Sequence, residues 1–271
     1  MVQIFAAALT PLDESGNPDA ARLGAHVTNL LAQGCDGIVL FGTTGEGPSF
    51  SASERLATVE ALLAQGIPAS RLALGIGFPA IPDAVALARA ALSLGLDQLL
   101  ALPPYFFRDI APPGIAEAFA RLIEGIANDR LRLTLYHIPQ VSGVPVAPET
   151  VAWLRARFGP LLAGVKDSSA DFSQFRAFRA AAPDIPVFVG NELDIPQALA
   201  EGGAGTICGM ANIVPGLVRA LAGPNPPLAA MREAISRLEA DFIPLLKSSL
   251  AVETGDPGWA RVRAPLRMSG A

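Results

Sequence analysis

Short apolar runs alternate with amphipathic stretches along the whole chain. Ile4 to Leu9 is the first run, and a helical pattern from about Asp19 to Gln33 follows it. Asp36 to Phe41 is the second, followed by a glycine-rich loop and a helix from about Ser53 to Gln65, with Ser51 and Ser53 as cap candidates. Leu72 to Ile76 precedes a helix over Pro82 to Leu94, where proline suits a first helical turn. Gln98 to Leu102 leads through the loop PPYFFRDIAPP to a helix from about Gly114 to Ile126. Four further pairs complete the series. They are Leu131 to His137 with a helix near Pro148 to Phe158, and Leu161 to Lys166 with Asp171 to Ala181. Ile185 to Val189 then pairs with Leu193 to Glu201, and Gly205 to Cys208 with Val214 to Leu221.

Eight strand–helix units in one run predict a single TIM (β/α)8 barrel over residues 1–223, with its site on the loops after the strands. A doubly wound sheet also alternates, but a Gly-x-Gly-x-x-Gly turn would be expected after its first strand. None is present, and Gly75-Ile-Gly77 lacks the third glycine. Pro224 to Pro227 reads as a linker. Residues 224–271 read as a C-terminal helical extension, with one helix over about Leu228 to Val252 and a last short piece around Trp259 to Leu266.

Composition narrows the function classes. The 271 residues are 51% hydrophobic and only 17% charged, with mean hydropathy +0.40, which points to surface covered in an oligomer. The net charge of -5 and the lack of a basic run argue against nucleic acid and anionic membrane surfaces as partners. Cys35 and Cys208 lie far apart without metal-type spacing and read as buried thiols of a reducing, cytoplasmic compartment. The start lacks the pattern of a signal peptide, and no uninterrupted apolar run reaches the ~18 residues of a membrane span.

Chemistry gathers at strand ends. Of 20 basic residues only Lys166 and Lys247 are lysines. Arginine supplies surface charge, but a guanidinium stays protonated and cannot act as an amine nucleophile. Lys166 ends the sixth strand. It reads either as a Schiff-base amine or as a solvated lysine paired with Asp167. Gly42-Thr43-Thr44-Gly45-Glu46-Gly47, after the second strand, offers hydroxyls and open backbone N–H groups to a carboxylate. Read alone it is first of all a plain glycine turn with capping residues. Tyr136, after the fifth strand, can relay a proton or simply find a partner for its hydroxyl. Strand alternation points His137 away from Tyr136, so His137 reads as structural, as does His26 in the first helix. Together, hydroxyl loop, phenol and amine meet the needs of imine chemistry on a 2-keto acid.

With these residues the chain resembles the dihydrodipicolinate synthase / N-acetylneuraminate lyase family of pyruvate-dependent class I aldolases. GTTGE at Gly42 to Glu46, Tyr-x-x-Pro at Tyr136 to Pro139 and GVKD at Gly164 to Asp167 match the family's three signatures in order and spacing. The resemblance covers essentially the whole chain. It implies a TIM barrel with a helical extension, usually a homotetramer built of dimers, and no metal or organic cofactor. It implies Lys166 as the Schiff-base lysine and Tyr136 as the proton-transfer residue. Thr43 and Thr44 would hold the pyruvate carboxylate, Thr43 would join a hydroxyl relay, and the backbone carbonyl of Ile207 would lie near the lysine.

Two departures bear on the substrate. Where the synthase has an arginine after Tyr-x-x-Pro to bind the second substrate's carboxylate, this chain has Val141. Where the synthase's Pro-Tyr-Tyr sends a tyrosine across a dimer interface, it has Phe106. A lost charge-assisted contact is worth about 1.5–3 kcal/mol, which disfavours aspartate semialdehyde. GTTGEGPS looks more like the family's 2-keto-3-deoxy-sugar-acid aldolases. Other readings are a dihydrodipicolinate synthase with an altered second site and a keto-acid dehydratase using the same imine. A non-catalytic 2-keto-acid binder is a third, and a sugar-phosphate barrel using Gly190-Asn191 and Gly209 a fourth.

Overall fold

The eight predicted strands all form, and they close on one another. In the computed structural model, which describes residues 2–238 and 241–268, the strands are β1 Gln3–Ala7, β2 Gly37–Leu40, β3 Leu72–Gly75, β4 Gln98–Ala101, β5 Arg132–His137, β6 Leu162–Asp167, β7 Val187–Val189 and β8 Gly205–Cys208. They pair in parallel in chain order, and β1 pairs with β8, so the sheet is a closed barrel. Each strand is buried on both faces, as parallel strands covered by helices must be.

The helices are α1 Ala20–Ala32, α2 Ala52–Ala64, α3 Ile81–Ser93, α4 Pro112–Ile126, α5 Pro139–Ser142, α6 Pro148–Phe158, α7 Phe172–Ala181, α8 Ile195–Ala200 and α9 Pro215–Ala220, followed by α10 Leu228–Ser236 and α11 Phe242–Thr254. Ser51, rather than Ser53, is the cap of α2, in a reciprocal capping box with Glu54. The one-turn α5 had no counterpart among the predicted elements.

Strand alternation divides the apolar side chains into two sets. Phe5, Ala7, Val39, Ala73, Leu100, Tyr136, Ile138, Phe188 and Ile207 fill the barrel interior. Leu, Ile and Val on the alternate positions pack outward against the helices. Register then places the chemistry. A one-residue shift near Leu133–Thr134 sets Tyr136 directly beside Lys166, and Lys166 beside Phe188. Lys166 therefore shares the inward layer of Tyr136 and Phe188, while Val165 and Asp167 point the other way.

The C-terminal expectation needs correction. The single helix over Leu228 to Val252 is two helices: α10 ends at Ser236 and α11 starts at Phe242. Residues 239–240 of that predicted helix lie outside the described residues. Pro244 near the start of α11 explains the break, because proline removes a donor and disfavours a helix running into it. The last piece is only a turn of 3-10 helix at Pro257–Trp259, followed by irregular chain with one further turn at Arg263 to Leu266, not a helix to Leu266. Among the described residues, no helix is long and apolar enough to cross a membrane, and both cysteines are buried thiols.

Candidate active site

The predicted site residues converge at the carboxyl ends of β2, β5, β6 and β8. Lys166 and Tyr136 are each only 4% exposed. The Lys166 Nζ lies 4.1 Å from the centre of the Tyr136 ring, and the Thr43 hydroxyl donates to the Tyr136 hydroxyl at 3.4 Å. Thr43, Thr44, Tyr136, Lys166 and Ile207 all line one cavity of about 340 Å³.

Asp167 is not the partner of Lys166. Its carboxylate faces away from the barrel interior and accepts the Ser169 N–H at 2.9 Å. Burial raises the Asp167 carboxyl above its usual range, and the Ser169 hydrogen bonds act in the opposite direction. Burial would likewise raise the Tyr136 phenol. The Lys166 ammonium and hydrogen bonds with Thr43, Ser168 and Lys166 outweigh that cost and hold the phenol below its ordinary value.

The threonine loop is held from three sides. The Thr10 hydroxyl donates to the Gly45 carbonyl at 2.7 Å. Arg55 is buried and donates to the Gly47 carbonyl at 2.6 Å and the Gly75 carbonyl at 2.8 Å, with its guanidinium over the Phe78 ring. Burial pushes Arg55 down to about 10. Glu46 adopts a left-handed backbone, φ 56°, that is unusual for a residue with a side chain. Its carboxylate is gripped by Lys247 and by the Arg263 N–H at 2.7 Å. The Glu46 and Lys247 side chains are both 0% exposed. Gly47 is required here, since a Cβ at that position would lie 2.0 Å from the Phe41 carbonyl oxygen.

Several lining residues escaped the sequence reading. Ser168 follows Lys166-Asp167 directly, and its place one step past a strand end was a usable signal. Glu192 lies behind Gly190-Asn191 after β7. It is buried and accepts the Met210 N–H at 3.0 Å, and burial pushes its carboxyl above the usual range. Phe242, Ile243 and Pro244 of α11, with Asp241 before it and Leu266 from the terminal segment, form another wall. No local pattern announces that a helix more than 70 residues past Lys166 returns to the barrel mouth. His137 is structural, as alternation predicts. It is buried against Phe178, and its Nδ1 accepts the Val146 N–H at 3.0 Å. His26 is structural too, hydrogen-bonded to Asn212 at 3.0 Å and edge-on to Trp259.

Residues 1–239 match the dihydrodipicolinate synthetase family. The chain belongs to that family. With membership comes the enzyme class its motifs predict, a lyase of the class I aldolase type. An uncharacterized DapA-like lyase of Chloroflexus aurantiacus is 35% identical over 274 residues, covering 97% of this chain and 90% of the relative. The crystal structure of dihydrodipicolinate synthase from Agrobacterium tumefaciens superposes with a TM-score of 0.93 at 32% identity, over 99% of this chain and 94% of that one. A 2-keto 3-deoxygluconate aldolase from Picrophilus torridus shares the fold, with a TM-score of 0.89 at 24% identity over 100% and 99% of the two chains.

Proposed function

We propose that this family member forms a Schiff base between Lys166 and pyruvate or a longer 2-keto acid, and makes or breaks a carbon–carbon bond with an aldehyde. The observation that carries the reading is the placement of Lys166 Nζ 4.1 Å from the Tyr136 ring centre, both side chains buried at the barrel mouth, with Thr43 on the phenol.

In the condensing direction the Lys166 amine adds to the ketone carbon and water leaves. The protonated imine is an electron sink, so the methyl carbon loses a proton and becomes an enamine. That carbon attacks the aldehyde carbon, and the aldehyde oxygen takes a proton. Hydrolysis frees the amine and a 4-hydroxy-2-oxo acid. Cleavage runs the same steps backward. Tyr136 carries the protons, since its phenol sits between Lys166 and the Thr43 hydroxyl. Thr43 and Thr44 hold the carboxylate and fix the reacting carbons, and the backbone at Ile207 supports the lysine. The imine itself supplies the activation, so the sequence needs no metal or organic cofactor.

The product class is a 2-keto-3-deoxy acid, as in the sugar-acid aldolase reading that GTTGEGPS supports. A true dihydrodipicolinate synthase is disfavoured by Val141 and Phe106. A keto-acid dehydratase would use the same imine and the same residues. A phosphate site on the loops after β7 and β8 is disfavoured by Glu192, whose buried carboxyl occupies the Met210 N–H that a phosphate would use. We read residues 1–223 as the barrel and 224–271 as an extension that completes the cavity wall. We also read the protein as cytoplasmic, in keeping with its two buried free thiols, and as a homo-oligomer, dimer or tetramer, because Phe106 and Phe107 are 74% and 69% exposed and stack edge to face on its surface.

Borohydride trapping with pyruvate, followed by peptide mass spectrometry, tests the chemistry. A reduced pyruvyl adduct is expected on Lys166 and is expected to vanish in Lys166→Arg. A folded protein that yields no adduct would overturn the assignment.

A further inference from the structure

Beyond the carboxylate loop, the cavity wall changes character. Ile138 and Val141 form one side, and Phe242, Ile243, Pro244 and Leu266 the other. The Phe242 ring lies directly on Gly209: a Cβ there would come within 2.7 Å of the ring and 3.3 Å of the Thr44 hydroxyl. This glycine lets an aromatic face reach the edge of the carboxylate loop. The ionisable side chains on the wall besides Tyr136 and Lys166 are Glu192 and Asp241, both acidic. Among the described residues Lys166 is the one cation that lines the cavity. Arg108 lies against Gly143, two residues past Val141, but is not part of the wall.

Charge and surface chemistry then select the aldehyde. The single cation is committed to the imine and the carboxylate of the keto acid. A second carboxylate or a phosphate bound against this wall would gain no counter-ion from it. A polyol tail would lie mostly on valine, isoleucine, leucine, proline and phenylalanine surface, with only the Ser168 hydroxyl and the Glu192 and Asp241 carboxyls of the lining side chains beyond the threonine loop, Tyr136 and Lys166 to meet its hydroxyls. An alkyl or aryl tail loses only its contact with water, which is favourable.

Resting on the Schiff-base reading, we propose that the aldehyde partner is neutral and carries an apolar alkyl or aryl tail, so that the product is a 4-hydroxy-2-oxo acid with an apolar substituent. This keeps the 2-keto-3-deoxy acid product class, replaces the sugar chain of the sugar-acid aldolase reading with an apolar substituent, and narrows the aldehyde away from carboxylated or phosphorylated partners. Val141, Phe242 and Leu266 are the residues that set the preference. The bond-forming step is unchanged: the enamine carbon bonds to the aldehyde carbon, the carbonyl electron pair moves to oxygen, and that oxygen is protonated.

The test uses the full chain. Trapping with pyruvate comes first. Initial rates of condensation then follow with butanal, benzaldehyde, glyceraldehyde, succinic semialdehyde and glyceraldehyde 3-phosphate. The expected result is a kcat/KM for butanal or benzaldehyde at least tenfold above each of the other three. Val141→Arg should raise kcat/KM for succinic semialdehyde at least tenfold, and Phe242→Ala should lower it for benzaldehyde more than for glyceraldehyde. A pyruvyl adduct on Lys166 combined with fastest turnover of glyceraldehyde or a charged aldehyde would overturn the inference and leave the Schiff-base reading standing. An adduct without turnover of either apolar aldehyde would do the same. Absence of the adduct would overturn both.

Discussion

Tyr136 and His137 are neighbours in sequence with opposite fates, because a strand turns successive side chains to opposite faces. Tyr136 faces the barrel interior and Lys166. Tyr136→Phe should leave the lysine in place and remove the hydroxyl to which the proposed function assigns proton transfer. The expected loss in kcat is about 10²–10⁴-fold with pyruvate trapping retained, measured by steady-state kinetics beside borohydride reduction. His137 faces the helices, where burial pushes its imidazole down to about 4 from an ordinary 6.5. The unfolded chain therefore takes up a proton in the window between these values while the folded chain does not. Stability should fall as pH drops from about 6.5 to about 4 and change no further, from this group, below that. The full effect is at most about 3 kcal/mol. Urea unfolding at pH 7 and pH 4.5 should show it, and His137→Asn should flatten the dependence, since its amide oxygen can still accept from Val146.

The threonine loop is the element on which the site depends, and its stability comes from the far end of the chain. Lys247 on α11 and the backbone of Arg263 both hold Glu46, and Arg263 also reaches Glu54, the Ser49 carbonyl and the Gly16 carbonyl. Removing one partner of a fully buried ion pair leaves an unpaired charge, so Lys247→Met should cost about 3–5 kcal/mol in denaturant unfolding. It should also raise KM for pyruvate, because Thr43 and Thr44 sit on the loop that Glu46 ends. Adding Glu46→Gln should recover part of the stability, a coupling that two unrelated sites would not show. This is also where sequence reading stopped. Eight strands and their partner helices were legible from periodicity, since each βα unit is a local pattern. Thr43, Tyr136 and Lys166 were legible because each lies at a strand end. The clamp on Glu46 was not, because Lys247 carries no local sign of its partner 201 residues away. Likewise Val141 could be read as a missing arginine, whereas Phe242 and Leu266 become lining residues only once the tail is folded back. The break between α10 and α11 was within reach, as Pro244 was in plain view.

At the scale of the molecule, the exposed Phe106–Phe107 pair sits on the β4–α4 loop as an apolar patch on an otherwise acidic protein. Sedimentation velocity at micromolar concentration should show a dimer or tetramer, and Phe106→Asp combined with Phe107→Asp should shift the population toward monomer. A monomeric wild-type protein would remove the oligomer from the proposal. The distribution of positive charge has a different outcome. Both lysines of the chain are enclosed, Lys166 at 4% exposure and Lys247 at 0%, so every side-chain cation on the outer surface is an arginine. An acylating reagent that attacks free amines would therefore find no lysine on the exterior of the folded protein. Any side-chain acylation in the native state would have to come from inside the barrel mouth, where Lys166 lines the cavity and Lys247 is closed off behind Glu46. Among side chains, a general amine label would act as one directed to Lys166, and the loss of that labelled peptide in the presence of pyruvate would give a direct count of occupied sites.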